Sequence, residues 1–537
     1  MRLARKLRSL VLINAVVALW IAITGNVTFF GKIVSLTPFD GWRAITFYLS
    51  AFIVLWAYIN LLLQLLTWGR LAKPVLTVIL LACSLTAFFI DAYGVGINAG
   101  QIQNMMETDI REVLDLVGWS MLAYVIVVAG VPIAWIWYRP VQEEKIWSRM
   151  LSRLTASAIS LVLILSVAAI FYADYASIFR NNRELRDFIN PHNYVAGLRK
   201  YVRQMTPTKN LPFLSYGEDA KVVSVPSDDK RPRLMVLVVG ETARSESFGL
   251  NGAVRNTTPE LEKRDVVSFT NVSACGTSTA VSLPCMFSGF QREEYDQGIA
   301  ARRENLLDIL KRANYQVSWM DNNSGCKGVC DRVESVPVLE SRRQEWCKDG
   351  NCFDDILADS LKDYLSKADP KDRVIVLHNL GSHGPAYYKR YPMAFRKFTP
   401  TCDTNELQTC SPEQVRNTYE NTILYTDYVL SRIVDIVKAQ EGRYRPAFLY
   451  VSDHGESTGE NGLYLHGAPY LFAPSQQTHI PMVAWLSPSF VSDKKVSCFV
   501  GRKSASLSHD NLFHTVLGLL NVSTRVYRSD LDMSSGC

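Results

Sequence analysis

Charged residues are scarce in this chain: Asp, Glu, Lys and Arg together make up 20% of the sequence, against 48% hydrophobic residues. The shortage is concentrated before Tyr172, where apolar runs dominate, whereas the remainder has an ordinary soluble composition. The net charge of +6 is modest and indicates no nucleic-acid partner, although it suits a protein beside anionic lipid. Internal repeats and low-complexity tracts are also lacking, which excludes repeat architectures.

Five apolar stretches are long enough to cross a bilayer, which takes ~20 residues. They are roughly residues 10–30, 44–67, 74–90, 119–138 and 154–172. No small-residue cleavage site stands out near the first stretch, so we interpret it as an anchor rather than a signal peptide. The centres of the stretches carry almost no charge, which disfavours a different class of protein, a membrane sensor or transporter with an external binding domain.

The short loops between these stretches differ in charge. Lys and Arg cluster at the N-terminus and after the second and fourth stretches, so these segments should be cytoplasmic. The loop after the third stretch is acidic and should face outward; it contains Asp91, Glu107, Asp109, Glu112 and Asp115 against a single Arg111. Five spans then place everything after Tyr172 outside the cytoplasm.

Cysteine is absent from the first 270 residues except for Cys83, within the third apolar stretch. The other ten cysteines are an even number and fall into neighbouring pairs: Cys275/Cys285, Cys326/Cys330, Cys347/Cys352, Cys402/Cys410 and Cys498/Cys537. This pattern predicts a disulfide framework in an oxidising compartment. A zinc site formed by the second and third pairs is the alternative that spacing leaves open.

The rest of the chain divides into a linker region and a globular part. Residues 174–205 combine apolar and basic faces and predict two short helices, which either lie on the membrane surface or pack normally. A Pro-containing linker follows to Pro232. We therefore predict a five-span membrane domain at 1–172, interfacial linker helices and linker at 173–232, and an external globular domain at 233–537.

Within the globular part, apolar strand-like runs alternate with helix-like stretches. The runs lie at residues 234–240, 315–321, 373–380, 447–453 and 481–487. Continuous apolar strands separated by helices are typical of a doubly wound, mainly parallel α/β sheet that is buried on both faces. Such sheets bind ligands beyond the carboxyl ends of their strands.

Several potential metal ligands lie at these strand ends, although the chain has only 8 histidines. Glu241 follows the first run, His383 lies beyond the third, and Asp453 and His454 follow the fourth, in YVSDHGESTGENGLYLHGAPY. Two carboxylates and an imidazole form a mixed oxygen and nitrogen set that suits zinc.

A cluster of hydroxyl groups offers a nucleophile for such a metal. Thr277, Ser278 and Thr279 precede an apolar stretch that predicts a helix start, where backbone amides can bind a phosphate. The residues alone favour a metal-dependent esterase or transferase, and they do not choose among the three hydroxyls.

The motifs carry a family resemblance that covers essentially the whole chain. The blocks are VVGETARSESFGLNG, SACGTSTAVSLPCMFSG, MDNNSGCKGVCDR, LHNLGSHGPAYYKRYP and SDHGESTGENGLYLHGAPY. In these blocks the chain resembles the lipid A phosphoethanolamine transferases, inner-membrane members of the alkaline phosphatase superfamily. The same family includes transferable colistin-resistance enzymes. The resemblance implies an alkaline-phosphatase/sulfatase-like fold for the globular domain.

The resemblance also implies roles for individual residues. It makes Glu241, Asp453 and His454 zinc ligands, and Thr279 the nucleophile that also contacts the metal. The remaining matched positions fall into three groups: Asn323 and Lys327 for the phosphoethanolamine group, His383 and His466 for that group or a second zinc, and Asn104 and Glu112 for the lipid head group. The ten external cysteines match relatives that have five disulfides.

The implied reaction moves phosphoethanolamine from phosphatidylethanolamine to lipid A, and thereby gives polymyxin resistance. Zinc is the implied cofactor, with one ion tightly bound, and the implied setting is the Gram-negative inner membrane with a periplasmic catalytic domain and a monomeric chain. The alternatives are a glycerophosphate transferase of the lipoteichoic acid synthase type or a transferase for another envelope glycan. A sulfatase is disfavoured, because the chain has no C-x-P-x-R pattern and Cys285 stands in C-M-F-S-G.

Overall fold

The computed structural model describes residues 9–107, 113, 115–139, 146–205, 212–223, 229–348, 351–491 and 493–536. Contacts divide the chain into two compact units. The N-terminal unit comprises Met1–Ile102 with Val117–Tyr201, and the C-terminal unit comprises Gln103–Leu116 with Val202–Cys537. The acidic loop segment Gln103–Leu116 thus belongs to the C-terminal unit. The predicted boundaries at residues 172 and 232 stay predictions.

In the described part of the first 205 residues, the regular secondary structure is helical. The helices are α1 (Leu10–Thr24), α2 (Val27–Leu36), α3 (Gly41–Leu66), α4 (Ala72–Tyr93), α5 (Ala99–Glu107), α6 (Trp119–Tyr138), α7 (Ile146–Asn181) and α8 (His192–Met205). Within α6, Ile126–Gly130 form a π-helical turn. A 3₁₀ helix, Arg183–Phe188, separates α7 from α8.

The predicted membrane spans correspond to long apolar helices. By length and composition, four helices can each cross a membrane: α3, α4 with its preceding turn, α6 and α7. The first predicted span is a broken helix, because α1 and α2 meet at a 59° bend; counted as one span, the pair gives five. The bend falls at Gly25 and Asn26, between the two helices.

An eight-stranded sheet forms the centre of the C-terminal unit. Its strands are β1 (Arg233–Gly240), β2 (Val267–Ser273), β3 (Gln316–Asp321), β4 (Glu334–Ser335), β5 (Arg373–His378), β6 (Arg445–Ser452), β7 (His479–Leu486) and β8 (Leu507–Ser508). Their order is β8-β2-β7-β6-β1-β5-β3-β4. All neighbours are parallel except at β7, which runs antiparallel to both β2 and β6. The predicted mainly parallel sheet is confirmed.

Both faces of the sheet are buried, as the continuous apolar strands predict. Alternate residues of β1 enter different core clusters: Met235, Leu237 and Val239 on one face, Leu234 and Val236 on the other. The covering helices are α9 (Thr279–Ser288), α10 (Leu306–Arg312), α11 (Asp355–Lys367), α12 (Pro412–Lys438), α13 (Asp493–Gly501) and α14 (Asp510–Leu519). Residues of α9, α10 and α14 belong to the first cluster, and residues of α11 and α12 belong to the second.

Short pieces complete the unit. Four-residue helices lie at Gln297–Ala300, Arg343–Trp346 and Ser475–Thr478, and two-residue strands pair at Lys221–Val222 with Val522–Ser523, at Cys347–Lys348 with Asn351–Cys352, and at Ser457–Thr458 with Tyr464–Leu465.

Four of the five predicted disulfides are present: Cys275–Cys285, Cys326–Cys330, Cys347–Cys352 and Cys402–Cys410. The alternative four-cysteine zinc site is therefore wrong, since its four thiols are consumed in two disulfides. Cys498 is disulfide-bonded, and its predicted partner Cys537 lies outside the described residues. Cys83 is free and buried in α4.

Candidate active site

Three acidic or imidazole side chains converge where two neighbouring strands end. Glu241 directly follows β1, and Asp453 and His454 directly follow β6. Because Gly240 of β1 pairs with Ser452 of β6, the residues that follow these two parallel strands leave the sheet side by side. All three side chains are at most 1% exposed. One ligand atom from each lies within 4.8 Å of the others.

Backbone amides fix one oxygen of Asp453 and leave the other free to face the cluster. Oδ1 accepts hydrogen bonds from the backbone N–H groups of Thr242 at 3.0 Å and His454 at 2.7 Å. Oδ2 is buried, has no hydrogen-bond partner in the described part of the chain, and lies 3.3 Å from His454 Nε2. Burial raises the pKa of Asp453 to about 6, because a lone carboxylate is poorly solvated there.

His454 presents a lone pair to the same point. Its Nδ1 lies 2.9 Å from the Gly455 carbonyl oxygen, which can only accept, so Nδ1 carries the proton and donates. Nε2 is then an acceptor, 3.5 Å from Glu241 Oε1. Burial lowers the pKa of His454 to about 3, and neighbouring His466 adds to the effect, so the ring is held neutral.

Thr279 completes the cluster from a third element. It is the first residue of α9, preceded by Ser278 in extended conformation, so the helix predicted after the hydroxyl cluster begins at this threonine. Its Oγ1 lies 3.1 and 3.3 Å from the two Glu241 carboxylate oxygens and 3.3 Å from His454 Nε2. Thr279 is half-buried, whereas the three ligand candidates are buried. The Thr277 hydroxyl instead donates to the Ala468 carbonyl oxygen at 2.7 Å.

This arrangement fits a divalent metal on structural grounds. Carboxylate oxygens and a neutral imidazole nitrogen are electron-pair donors that repel one another unless a cation or protons lie between them. Here they face each other inside the protein, and none of the described residues lies within hydrogen-bond distance as a donor to Asp453 Oδ2. Two carboxylates, one imidazole and one hydroxyl are a ligand set that suits zinc.

A set of hydrogen-bonded side chains supports Glu241, and two of its members, His378 and Asp321, are not predicted from the sequence. Asn323 Nδ2 donates to Glu241 Oε2 at 2.8 Å and to the Asn379 carbonyl oxygen at 3.0 Å, and it lies 3.3 Å from His378 Nε2. His378 Nδ1 in turn lies 3.0 Å from Asp321 Oδ2. Burial disfavours a charge on His378, yet the Asp321 carboxylate raises the net pKa of the ring. His378 escaped prediction because it is the last residue of a buried strand.

Two further histidines border the cluster. The His466 ring lies 4.4 Å from the His454 ring and 5.7 Å from the His383 ring, between centroids. Burial opposes protonation of His466, but the Glu456 carboxylate, 2.8 Å from its Nδ1, raises its pKa to about 9. Burial lowers the pKa of His383 to about 4. Glu456, which is fully buried and also accepts a hydrogen bond from Tyr387, is a further site residue that the sequence does not predict.

Close packing holds His383 near Glu241. Ser382 donates its backbone N–H to the Glu241 carbonyl oxygen at 3.1 Å. Gly381 adopts φ +52°, and a Cβ at this position would lie 2.5 Å from the Glu241 carbonyl oxygen, so only glycine lets the two loops approach this closely.

The remaining predicted site residues lie further out. Lys327 Nζ donates to the Glu107 carbonyl oxygen at 3.1 Å and lies 3.4 Å from Ser324 Oγ, rather than against the ligand carboxylates. Asn104 lies on α5, in the same segment as Glu107. Glu112 lies outside the described residues.

Comparisons with known proteins agree on both parts of the chain. A family profile described as Sulfatase matches residues 233–522, and a profile described as Phosphoethanolamine transferase EptA/EptB matches residues 55–206. The chain is 42% identical to the phosphoethanolamine transferase EptA of Escherichia coli K12, over 97% of this chain and 95% of that protein.

Two other relatives also match over nearly their full length. The phosphatidylethanolamine transferase Mcr-1 of Escherichia coli is 36% identical, over 95% of this chain and 94% of that protein. The solved structure of the integral membrane lipooligosaccharide phosphoethanolamine transferase A of Neisseria meningitidis superposes with a TM-score of 0.92 at 38% identity, covering 97% of each chain.

Proposed function

The chain belongs to the phosphoethanolamine transferase family, and we propose that it transfers phosphoethanolamine from phosphatidylethanolamine to a lipid A phosphate through a covalent intermediate on Thr279. It is an integral membrane enzyme with a periplasmic C-terminal domain of the alkaline phosphatase superfamily. The donor, the acceptor, the metal and the intermediate are the proposed elements.

One observation carries the assignment of the nucleophile. Of the three clustered hydroxyls, that of Thr279 lies within 3.3 Å of both Glu241 and His454, whereas that of Thr277 is bonded to a backbone carbonyl. The Thr279 oxygen therefore lies against the same carboxylate and imidazole atoms that are proposed to hold the metal. The position at the start of α9 also directs backbone N–H groups toward an incoming phosphate.

Glu241, Asp453, His454 and Thr279 would hold zinc. When bound, this ion supplies Lewis-acid stabilisation of the negative charge that develops during phosphoryl transfer and lowers the pKa of the Thr279 hydroxyl. His383 and His466 are proposed to contact the phosphoethanolamine group or a second zinc. Asn323 and Lys327 are proposed to bind the phosphoethanolamine group, with Lys327 neutralising its phosphate. Asn104 and Glu112 are proposed to lie near the lipid head group.

The proposed reaction has two balanced steps. In the first, Thr279 Oγ1 forms a bond to the donor phosphorus, the bond to diacylglycerol breaks, and the hydroxyl proton is passed on so that diacylglycerol leaves protonated. In the second, an oxygen of the acceptor phosphate attacks the same phosphorus, and Thr279 leaves and regains a proton. We assign these proton transfers to His466, which its contact with the Glu456 carboxylate favours in the protonated form: it donates a proton to the departing diacylglycerol oxygen and regains one from the Thr279 hydroxyl, and in the second step it protonates Thr279 as that residue leaves.

A covalent intermediate is favoured because both lipids carry bulky acyl chains held in the membrane. Direct transfer would require both lipids to occupy the site together, whereas an intermediate lets each lipid visit in turn.

The test supplies purified full-length protein with phosphatidylethanolamine alone. Mass spectrometry should find phosphoethanolamine on Thr279 within CGTSTAVSLPC, together with released diacylglycerol. Thr279→Ala should abolish both products, Thr279→Ser should keep part of the activity, and Thr277→Ala should serve as an active control. An adduct on Thr277 or Ser278 would move the nucleophile, and full transfer by Thr279→Ala would exclude the covalent route at this residue.

A further inference from the structure

Asp115 is a buried acid whose location the proposed chemistry does not explain. It belongs to the segment Gln103–Leu116, which is part of the C-terminal unit. Its side chain is 8% exposed and pairs with two cations: Lys389 Nζ at 2.6 Å and Arg390 Nη2 at 2.9 Å. Its backbone is held as well, because Asn405 Nδ2 donates to the Asp115 carbonyl oxygen at 2.6 Å. Burying a charge costs free energy, so the buried Asp115 carboxylate and the buried Arg390 guanidinium are each stable there only because the other is present.

Arg390 connects Asp115 to the candidate active site. Its side chain is 2% exposed, and while Nη2 pairs with Asp115, Nε donates to the His383 carbonyl oxygen at 2.8 Å. The guanidinium is planar, so the direction of one arm fixes the direction of the other. The backbone of His383 is therefore tied to the carboxylate of Asp115 through a single rigid group.

The same segment also contacts the loop that follows β3. Lys327 Nζ donates to the Glu107 carbonyl oxygen at 3.1 Å, and the Gln103 amide donates to the Glu107 carboxylate at 2.9 Å. Glu107 and Asp115 thus contact the loops that follow β3 and β5 respectively, and each loop carries a residue proposed to contact phosphoethanolamine.

We propose that Asp115 is a positioning residue: through Arg390 it fixes the loop that carries His383, and so prepares that histidine for transfer. We call the connection Asp115–Arg390–His383 the aspartate latch. Lys389, whose side chain is 43% exposed, pairs with the other carboxylate oxygen of Asp115. This inference rests on the proposed function in one respect, that His383 contributes to transfer.

The first test measures the loop itself and does not need activity. Several amides of the loop are hydrogen-bonded, including Lys389 N to the Ala386 oxygen and Arg390 N to the Tyr387 oxygen. In purified full-length protein, Asp115→Asn should speed hydrogen exchange in peptides covering 382–391 by at least about tenfold. The matched control is Asp435→Asn, which removes an acid that is 53% exposed and pairs with Arg264. Unchanged exchange in Asp115→Asn would overturn the latch.

The second test asks whether Asp115 acts through His383. Asp115→Asn should lower kcat about tenfold with unchanged zinc content and little change in donor KM. Arg390→Lys, which keeps the charge but loses the planar fork, should behave alike, and Asp115→Glu should recover part of the rate. In a His383→Gln background, Asp115→Asn should cause no further loss. Multiplying losses in the double variant would show that Asp115 acts elsewhere.

One alternative variant keeps the proposal testable, and two outcomes separate it from the proposed function. If Asp115→Asn does not yield folded protein, Arg390→Lys provides the same exchange measurement and decides the question. If Thr279→Ala remains fully active while exchange in Asp115→Asn rises as expected, the covalent route fails and the latch stands. If the Thr279 adduct forms while exchange is unchanged, only the latch fails.

Discussion

At the scale of the residue, Asp453 and His454 are the most direct probes of the metal. Each offers a buried donor atom to one point, and Asp453 Oδ2 has no other partner among the described residues. Asp453→Ala and His454→Ala should therefore lose stoichiometric zinc and transfer activity together. Plasma mass spectrometry of the purified variants measures the zinc, with the surface variant Asp435→Ala as the control. Full zinc occupancy in both variants would show that other residues bind the metal.

The residues of the site differ in how well sequence could predict them. Glu241, Asp453 and His454 follow apolar strands directly, and parallel strands bring such residues to one edge, so pattern and topology suffice. The choice of Thr279 over Thr277 required family resemblance, because which hydroxyl faces the carboxylates depends on where α9 begins.

Other site residues gave no usable signal. His378 and Asp321 each end an apolar strand as an ordinary polar residue would, and Glu456 is one of several acids in its loop. Their contribution comes from partners distant in sequence, at 57 residues for His378 and Asp321 and at 69 for Glu456 and Tyr387. The local sequence around each residue does not indicate which distant residue it pairs with.

At the scale of the element, the loop closed by Cys326–Cys330 presents Lys327 with φ +49°, a left-handed conformation that costs energy for lysine. Replacing both cysteines by serine should cost about 2 kcal/mol of stability, given the short loop. Transfer activity should fall by more than this loss of stability explains, because Lys327 can then leave its position.

The pair Cys347–Cys352 provides the control, since it closes a loop of similar length. Its double serine variant should lose similar stability and keep most activity. Thermal melting and transfer rate, measured on the same preparations, compare the two variants. Equal activity in both would contradict a role for the first loop in positioning Lys327.

His509, just before α14, forms hydrogen bonds to the segment before α9 and to the end of β6, and its protonation should make the fold sensitive to acid. Its Nδ1 accepts from the Cys275 N–H at 3.0 Å and its Nε2 donates to the Ser452 carbonyl oxygen at 2.9 Å, so the ring must be neutral. Burial lowers its pKa to about 4, below the unfolded value of about 6.5. The unfolded chain therefore binds the proton first as pH falls from about 6.5 to 4, and stability falls by at most about 3 kcal/mol.

The variant His509→Gln tests this sign. At pH 7.5 the variant should be less stable than the parent, because two hydrogen bonds are altered. The difference in stability between the two proteins should be smaller at pH 4.5, because only the parent must keep a buried histidine neutral there. Apparent melting temperatures of the full chain in detergent give both gaps. A gap that is equal at the two pH values would assign the acid sensitivity elsewhere.

Helices and strands can be predicted where a single pattern of apolar residues extends over the whole element. Continuous apolar runs predict five strands, whereas β2, with the sequence VSFTNVS, buries only Phe269 and Val272 and contains no such run. The antiparallel direction of β7 depends on its neighbours β2 and β6, and so it could not be inferred without the missed strand. The sequence also does not predict the bend between α1 and α2, because the composition is apolar on both sides of Asn26. The buried amide of Asn26 donates to the Ile21 carbonyl oxygen.

At the scale of the whole molecule, the C-terminal unit is built from two separate parts of the sequence. A shortened protein that begins at residue 212 would lack Gln103–Leu116 while retaining Glu241, Thr279, Asp453 and His454. It should bind zinc at the parent stoichiometry, yet show the rapid exchange at 382–391 expected of Asp115→Asn. Zinc analysis and hydrogen exchange on one sample test both statements, and protected exchange would contradict the contribution of the missing segment.

The local spacing of the disulfides bears on how the protein matures. The described pairs are separated by 10, 4, 5 and 8 residues, and no other cysteine lies between the two members of any pair. An oxidase that joins cysteines in the order in which they emerge from the translocon therefore produces these four bonds at the first attempt. A thiol isomerase has nothing to correct in this part of the chain, so a cell that lacks one should still accumulate the enzyme, whereas a cell that lacks the oxidase should not.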